Sequence, residues 1–310
     1  MTTQPANSPP PQPPPGHRPI AEHQQQPDML QARAATRVAY DRAEHIRAVQ
    51  TAGAVCLALL APVLLVFSPG ASGALAVAAV LWLLLARTAL DTWQRKAHLQ
   101  GVQRNELYDT TLFTLPWNAS LSGPLRLARE QVRARTHPTV DKDHDWYREV
   151  PNVPWPNDVL SCQTQNLLYS RRNHRSYARL LGAVLTVTVL AALALATVRN
   201  LTLQQCLVQL AVPLTPALLN LSDLARRHTE AARAQEQLEE SVDELLEQRA
   251  NGRHITATDC REIQDGIFNR RAHQPPVPSR VHNRLHSQNT AAAIARMHDL
   301  QEEFNRPPSS

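Results

Sequence analysis

Paired cysteines are missing from this chain of 310 residues, and their absence excludes two kinds of stabilised fold. The chain has four cysteines, and no two of them have the C-x-x-C spacing that zinc and redox sites use. Four scattered thiols also form no disulfide framework of the kind that supports small secreted domains. We therefore expect no metal site and no cofactor.

The sequence motifs of common catalytic sites are absent as well. The chain has no Walker phosphate loop, no G-x-G-x-x-G turn and no G-x-S-x-G elbow. His282 and His286 have the spacing of zinc ligands, but Asn283 stands where a zinc protease needs its glutamate base. We expect no catalytic residues, and we predict that the protein is not an enzyme.

Charged residues are missing from three long stretches, at 52–86, 180–198 and 200–221. Such clustering of apolar residues excludes a single soluble globule. The first stretch is too long for one membrane span, and Ser-Pro-Gly at 68–70 is a turn signal that divides it. With flanking uncharged residues, each half reaches the roughly 20 residues that cross a bilayer. We predict an all-α integral membrane protein with two transmembrane helical hairpins, an α-helical cytoplasmic insert and cytoplasmic C-terminal helices.

These composition changes divide the chain into six predicted segments. Eight prolines among the first 19 residues favour a solvated, disordered tail. The apolar stretches define the hairpins, and the polar stretches define the cytoplasmic parts. The segments are a Pro-rich disordered tail at 1–30, a juxtamembrane helix at 31–51, transmembrane hairpin 1 at 52–90, the cytoplasmic helical insert at 91–179, transmembrane hairpin 2 at 180–221 and the C-terminal helical region at 222–310.

Basic residues are almost absent from the two predicted hairpin turns, which contain Arg199 alone. Fifteen basic residues flank the opposite ends of the spans. Because such residues stay on the cytoplasmic side of a membrane, both termini and the insert are predicted to be cytoplasmic. The flanking residues are Arg33, Arg37, Arg42, Arg47, Arg87, Arg95, Lys96, Arg104, Arg171, Arg172, Arg175, Arg179, Arg226, Arg227 and Arg233.

Polar residues recur along one face of the fourth predicted span. Their spacings of three and four residues place them on a single helical stripe, which must face another helix or water. One interpretation is hydrogen bonding between helices, and the other is the lining of an aqueous path in an oligomer. The predicted pore-lining residues are Thr202, Gln205, Gln209 and Asn220, and Pro213 and Pro216 lie on the same stripe.

The cytoplasmic segments contain several helical patterns. The spans continue into polar helices at 91–109 and from Val159 onward, and the insert has a further predicted helix at 122–135. Asp259 is placed to cap a helix that reads CREIQDGIFNRR, and a last amphipathic helix is predicted at 279–304. The helix that follows span 4 has apolar residues at seven-residue intervals, typical of either a coiled-coil stalk or a helix packed on the insert. These residues are Leu224, Ala231, Leu238 and Leu245.

Two arginine clusters stand out in the cytoplasmic segments. Juxtamembrane arginines set topology and meet anionic lipid. A guanidinium group also matches the geometry of phosphate, so capture of a phosphate-bearing ligand is the alternative function. The candidate ligand-binding residues are Arg171, Arg172, Arg175, Arg261, Arg270 and Arg271.

Several motifs in the polar segments resemble the SMODS-associating four-transmembrane effector family. They read VQRNELYDTTLFTLPWN at 102–118, DWY at 145–147, SCQTQN at 161–166, RRNHRSYARL at 171–180 and CREIQDGIFNRRAHQPPVPSR at 260–280. The resemblance extends over about residues 30–305. The family-motif positions include Gln103, Glu106, Asp109, Trp117, Asn118, Trp146, Tyr147, Cys162, Gln163, Asn166, Arg172, Tyr177, Arg261, Gln264, Asp265, Arg270 and Pro278.

The resemblance implies a role in bacterial anti-phage defence. By this resemblance, an associated nucleotidyltransferase makes a cyclic oligonucleotide messenger on infection. The messenger activates the membrane protein, which permeabilises the bacterial inner membrane and kills the infected cell, an outcome known as abortive infection. The implied partners are the lipid bilayer and the messenger, and no direct binding of DNA or RNA is expected.

Four helices in one chain pack without a lumen, so conduction would require a homo-oligomer or a large opening. The sequence leaves open which cyclic nucleotide acts and whether a defined channel forms. The alternative function is a non-conducting four-span membrane scaffold that recruits cytoplasmic partners.

Overall fold

The computed structural model describes residues 11–67, 72–134, 137–207 and 211–306. Helices joined by short loops make up this described part of the chain, which contains no β-strand. The all-α class predicted from the sequence is therefore confirmed. The chain divides into two compact units, an N-terminal unit at Gly16–Trp146 and a C-terminal unit that contains Tyr147–Ser310.

The N-terminal unit is built on two long helices that pack along each other, α2 and α4. Their close approach depends on Gly101, because a Cβ atom there would lie 2.9 Å from the Tyr40 ring. A π-helical turn at Ala86–Leu90 joins α3 to α4 without a break. The helices of this unit are α1 Ile20–His23, α2 Pro27–Phe67, α3 Ser72–Leu85, α4 Asp91–Leu112, α5 Ala119–Ser122 and α6 Leu125–Arg133.

Two parts of the N-terminal unit differ from the sequence prediction. Ordered helix begins at Ile20, inside the segment that was predicted to be a disordered tail, because Ile20 and Met29 bury apolar side chains that the proline-rich part lacks. The helix predicted at 122–135 is α6, and it begins three residues later than predicted, at Leu125. Ser122 instead ends the short helix α5, because Gly123 has a φ of 79° and Pro124, the N-cap of α6, has no N–H for a helical hydrogen bond.

The C-terminal unit is organised around the pairing of α7 with α9, which α10 and α11 support. Val159, Val242, Ile263 and Met297 contribute to its core, one from each of these four helices. The helix predicted at 279–304 is confirmed and ends one residue later. The helices are α7 Asn157–Val198, α8 Leu203–Cys206, α9 Val212–Ala250, α10 Ala257–His273 and α11 Ser279–Asn305.

Helix α9 packs against α7, which decides between the two interpretations of its seven-residue repeat. Ala231 and Leu238 are buried in this packing. The predicted cap of α10 was three residues too late. Thr256 is the N-cap, and its side chain and that of Asp259 accept hydrogen bonds from each other's backbone N–H.

The described residues contain one helix, α7, that is long and apolar enough to cross a membrane. Only 6% of its most apolar 18-residue window is buried inside the chain. Large apolar side chains such as Val187 and Leu190 are exposed there, which suits contact with lipid. The arrangement of four spans in two hairpins stays a prediction from the sequence.

Candidate functional site

Ion pairs join α7 to α9 in the C-terminal unit, and two of the predicted ligand-binding arginines make them. The Nε atom of Arg171 lies 2.8 Å from a carboxylate oxygen of Glu239. Arg175 pairs with Glu236 one turn away. Burial raises the pKa of Glu239, while the charge of Arg171 opposes this change. Both arginines thus already have acidic partners in this structure.

The same contact between α7 and α9 contains a buried pair of histidines. The Nδ1 atoms of His174 and His228 lie 2.9 Å apart. The Tyr177 ring packs edge-on against the His228 ring, with 4.7 Å between the ring centroids. Burial, and next the proximity of His228, lower the pKa of His174 to about 3. His174 is therefore neutral at physiological pH, and one of the two facing ring nitrogens donates the hydrogen bond that the other accepts.

Amide side chains connect α7 to α11. The Nε atom of Arg172 donates to the Oδ1 atom of Asn289 at 2.9 Å, and the Asn289 amide donates to Asn173 at 2.8 Å. Asn173 in turn lies 3.1 Å from a ring nitrogen of His282. This chain of hydrogen bonds fixes the register of α7 against α11 through buried polar atoms.

The arginines of α10 have different surroundings. Arg261 forms an ion pair of 2.6 Å with Asp265 on the same helix. Arg270 donates to the backbone oxygen of Ala234 at 2.7 Å, and burial lowers the pKa of its guanidinium group. Arg271 is half-buried at the next position. Arg270 therefore joins α10 to the backbone of α9.

Buried amides at the start of α7 explain part of the family motif SCQTQN. The Nε2 atom of Gln163 donates to the backbone oxygen of Cys260 at 2.7 Å and to the side-chain oxygen of Gln264 at 3.2 Å. Asn166 donates to the hydroxyl of the buried Tyr147 at 2.7 Å. These motif residues join α7 to α10 and to the segment that precedes α7.

Burial raises the pKa of two ionisable groups beside these amides, Asp158 and Cys260. Burial raises the pKa of Asp158 to about 6. Burial also raises the pKa of the Cys260 thiol, which lies 3.6 Å from the backbone oxygen of Pro156. Cys162 is buried nearby on the same helix as Asp158. Both thiols suit structural roles, because a nucleophilic cysteine needs an accessible thiolate.

The N-terminal unit has its own buried polar network, centred on Arg33. This guanidinium group lies 3.2 Å from the centroid of the Trp146 ring and donates to the side-chain oxygen of Asn105 at 2.8 Å. Asn105 donates to a carboxylate oxygen of the buried Asp109 at 2.9 Å. The motif residues Asp109 and Trp146 therefore belong to one network with an arginine from α2.

Two further motif residues of this unit, Trp117 and Asn118, shape the loop around α5. The indole N–H of Trp117 donates to the backbone oxygen of Gly123 at 2.7 Å. Asn118 is the N-cap residue of α5, and its side-chain oxygen accepts a hydrogen bond of 2.6 Å from Ser120. These contacts close the loop that connects α4 to α6.

The predicted pore-lining residues are exposed where the structure describes them. Thr202 and Gln205 form a capping box at the start of α8, in which the Thr202 N–H donates to Gln205 at 2.9 Å. Asn220 is exposed on α9, and Gln209 lies outside the described residues. An exposed polar stripe is consistent with both interpretations, contact with another helix or contact with water.

Comparison with known proteins decides the family. A family model described as "SMODS-associating 4TM effector domain" matches residues 18–300. The chain belongs to this family. The resemblance carried by the sequence motifs is thus confirmed. A protein of Bacillus cereus (strain VD146) named "Probable CBASS effector molecule" is 22% identical over 261 residues, which cover 80% of this chain and 86% of the relative. No solved structure matches the chain.

The burial of Arg33, His228 and Gln235 was not predicted from the sequence. Arg33 was counted only as a flanking basic residue, and nothing in its sequence context indicates burial. His228 and Gln235 occupy core positions of the seven-residue repeat of α9, where polar residues are unusual. Both are buried, so this irregularity was the one available signal. Among the described residues, no three His, Cys, Asp or Glu side chains form a set that could hold a metal ion.

Proposed function

We propose that this protein is a membrane-permeabilising effector of bacterial anti-phage signalling that responds to a cyclic oligonucleotide messenger. Membership of the SMODS-associating 4TM effector family and the similarity to a protein named as a CBASS effector support this role. We place the chain in the bacterial inner membrane, with four spans in two hairpins and both termini cytoplasmic. Opening in this proposal requires a homo-oligomer.

One observation carries the proposal. Helix α7 is unbroken from the buried motif residues at Cys162 and Gln163 to the exposed apolar segment that ends at Val198. Its 42 residues span about 63 Å at a rise of 1.5 Å per residue. A continuous helix transmits a rotation or shift from its cytoplasmic half to its apolar half. The C-terminal unit thus supplies a direct connection between a sensing region and the bilayer.

In the proposed mechanism, the messenger acts on the contact between α7 and α9. If its phosphates bind Arg171 and Arg175, these arginines must exchange Glu239 and Glu236 for the ligand. Loss of the ion pairs would release α9 from α7. The polar stripe that contains Gln205 would then turn toward an aqueous path shared by the subunits of the oligomer. Exchange is easier at Arg175, because this pair is the more exposed of the two and exposed ion pairs contribute at most about 1 kcal/mol.

A paired substitution tests whether these arginines contact the messenger. Glu239→Gln removes the competing charge, so the apparent Kd for the messenger should fall severalfold. Glu240→Gln, at an exposed neighbouring position, is the matched control and should leave the Kd unchanged. Equal affinities for the two variants would exclude Arg171 from the messenger site.

The proposed activity itself is tested by dye release from liposomes that contain the purified full-length protein. A panel of cyclic di- and trinucleotides is added, with the corresponding linear dinucleotides as controls. We expect release with one cyclic compound and no release with its linear form. Binding without release would instead support the non-conducting scaffold that recruits cytoplasmic partners.

A further inference from the structure

A surface cavity of about 720 Å³ lies on the first turns of α4 in the N-terminal unit. Helix α4 contributes Asp91, Arg95, Lys96, Gln100 and Gln103 to its wall, and α6 contributes Gln131. The wall therefore combines two basic groups and one acidic group with side-chain amides. Such a lining suits a polar, negatively charged ligand.

The cavity has one positive charge that the protein leaves unpaired. Arg95 forms an ion pair of 2.9 Å with Asp91, which neutralises the charge of its guanidinium group. Lys96 is exposed and has no acidic partner among the residues that the structure describes. An ammonium group in this position attracts a phosphate as a compact point charge.

The cavity also has a hydrogen-bond acceptor in need of a donor. The Oε1 atom of Gln131 is buried, and within the described ranges it has no hydrogen-bond partner. Gln103 is weakly engaged, since its amide donates to the backbone oxygen of Ser122 at 3.4 Å. Because buried acceptors normally have partners, a fitting ligand would supply a hydroxyl or amino group to Gln131.

We propose that this cavity binds a phosphodiester that also carries hydroxyl or amino donors. Lys96 contacts the phosphate, and the amides of Gln131 and Gln103 contact the donors and acceptors beside it. Two sources have this chemistry, the headgroup of an anionic phospholipid such as phosphatidylglycerol and a soluble cyclic oligonucleotide. This inference rests on the proposed function, which places α4 at the cytoplasmic surface of the membrane and provides the nucleotide. For the nucleotide, the cavity would be a second site, separate from Arg171 and Arg175.

The position of the cavity supports both sources. Lys96 lies six residues beyond the π-helical turn that ends at Leu90, about 9 Å along the helix axis. Trp93 is exposed on the same turns, as expected for a residue at a membrane surface. The cavity is also open to solvent, and in the proposed topology this solvent is the cytoplasm. A soluble ligand therefore has access.

The composition of the chain provides an unusually clean test, because Lys96 and Lys142 are its only two lysines. The full-length protein is placed in nanodiscs and treated briefly with an acetylating reagent, and mass spectrometry measures the modification of each lysine. Lys142 is exposed outside the cavity and serves as the internal control. A ligand at about ten times its Kd should slow acetylation of Lys96 about tenfold relative to Lys142, since the rate follows the free fraction.

The lipid composition separates the two sources. Protection of Lys96 in phosphatidylglycerol but not in phosphatidylcholine nanodiscs identifies a lipid headgroup. Protection that appears in phosphatidylcholine nanodiscs on addition of one cyclic di- or trinucleotide identifies the soluble ligand. An unchanged ratio of Lys96 to Lys142 acetylation under all these conditions overturns the proposal.

A variant separates binding in the cavity from general attraction to an anionic surface. Gln131→Leu keeps every charge but removes the amide, so it should abolish most of the protection. Gln237→Leu, at an exposed position of α9, is the matched control and should retain it. Full protection in the Gln131→Leu protein would show that the cavity is not the site.

Dye release distinguishes this inference from the proposed function. Messenger-triggered release without protection of Lys96 would leave the effector function intact and reject the cavity. Protection of Lys96 by phosphatidylglycerol without any triggered release would support the cavity and count against the effector function.

Discussion

The Nδ1 atoms of His174 and His228 lie 2.9 Å apart in the buried contact between α7 and α9. Such a hydrogen bond requires one ring to donate and the other to accept, so it exists only while at least one of the facing nitrogens is unprotonated. The charge state of this pair therefore affects the packing of the two helices that continue into the predicted spans 3 and 4.

We predict that acid weakens this contact. The pKa of His174 is about 3 in the folded protein, against about 6.5 when unfolded. As the pH falls, His174 is protonated in the unfolded chain before it is protonated in the folded protein. The free energy of unfolding is therefore highest above pH 6.5 and declines toward pH 3. At pH 5 the loss is about 2 kcal/mol.

Thermal unfolding of the wild type and of His174→Gln at pH 7.5 and pH 5 checks this prediction. The glutamine retains a hydrogen-bonding side chain and removes the titration of His174. The wild type should therefore lose more of its Tm on acidification than the variant. Equal losses in both proteins would contradict the lowered pKa of His174.

Asp158 should have the opposite pH dependence. Its pKa of about 6 in the folded protein is raised by burial, so its charged form destabilises the fold. Below about pH 4 this destabilisation is absent, because Asp158 is protonated in both the folded and the unfolded protein. Above about pH 6 it is complete and lowers the free energy of unfolding by about 3 kcal/mol. Asp158→Asn should raise the Tm at pH 7.5 and have little effect at pH 4. Asp299→Asn, at an exposed site of α11, is the control.

We predict that the buried network around Arg33 is stable only with arginine at position 33. Arg33→Met removes the hydrogen bond to Asn105 and the cation from the face of Trp146, and we expect a loss of about 2–4 kcal/mol. Arg33→Lys keeps the charge but lacks the planar group that stacks and donates together, so it should recover little of this loss. Amide hydrogen exchange in α4 measures the loss of stability in each variant. Arg126→Lys, at an exposed position, serves as the control and should leave this exchange unchanged. Full recovery by lysine would mean that charge alone matters.

Gln205 and its neighbour Gln204 offer a matched test of the predicted aqueous path. Gln205 lies on the polar stripe and accepts a hydrogen bond from the Thr202 N–H, whereas Gln204 is exposed beside it and off the stripe. Gln205→Leu should reduce messenger-triggered dye release severalfold, and Gln204→Leu should not. If both variants release dye like the wild type, Gln205 does not line the path.

The helices of this protein were predictable largely because their signals are local. The seven-residue repeat of α9 and the amphipathic pattern of α11 each depend on residues that are close in the sequence. Where prediction was wrong, a nearby competing signal had more weight. Gly123 and Pro124 delayed the start of the helix predicted at 122–135, and Thr256 takes the place of Asp259 as the N-cap of α10.

The partners of the polar residues were not predictable in the same way. Arg171 and Arg33 are both arginines in basic, helical surroundings, yet the first is partly exposed beside Glu239 and the second is buried beside Trp146. A sequence pattern shows that a residue is charged but not whether water or protein surrounds it. The ion pairs of the predicted ligand-binding arginines became evident only when α9 was seen beside α7.

Composition, hydropathy and short motifs were sufficient to predict the helical class, the apolar segments and the family. They did not predict which polar groups meet, because that depends on how distant helices pack. His174 and His228 are 54 residues apart in the chain, and Arg33 and Asn105 are 72 apart. Burying such groups is favourable only when each finds a hydrogen-bonding partner, and the position of that partner is set by the packing of distant helices.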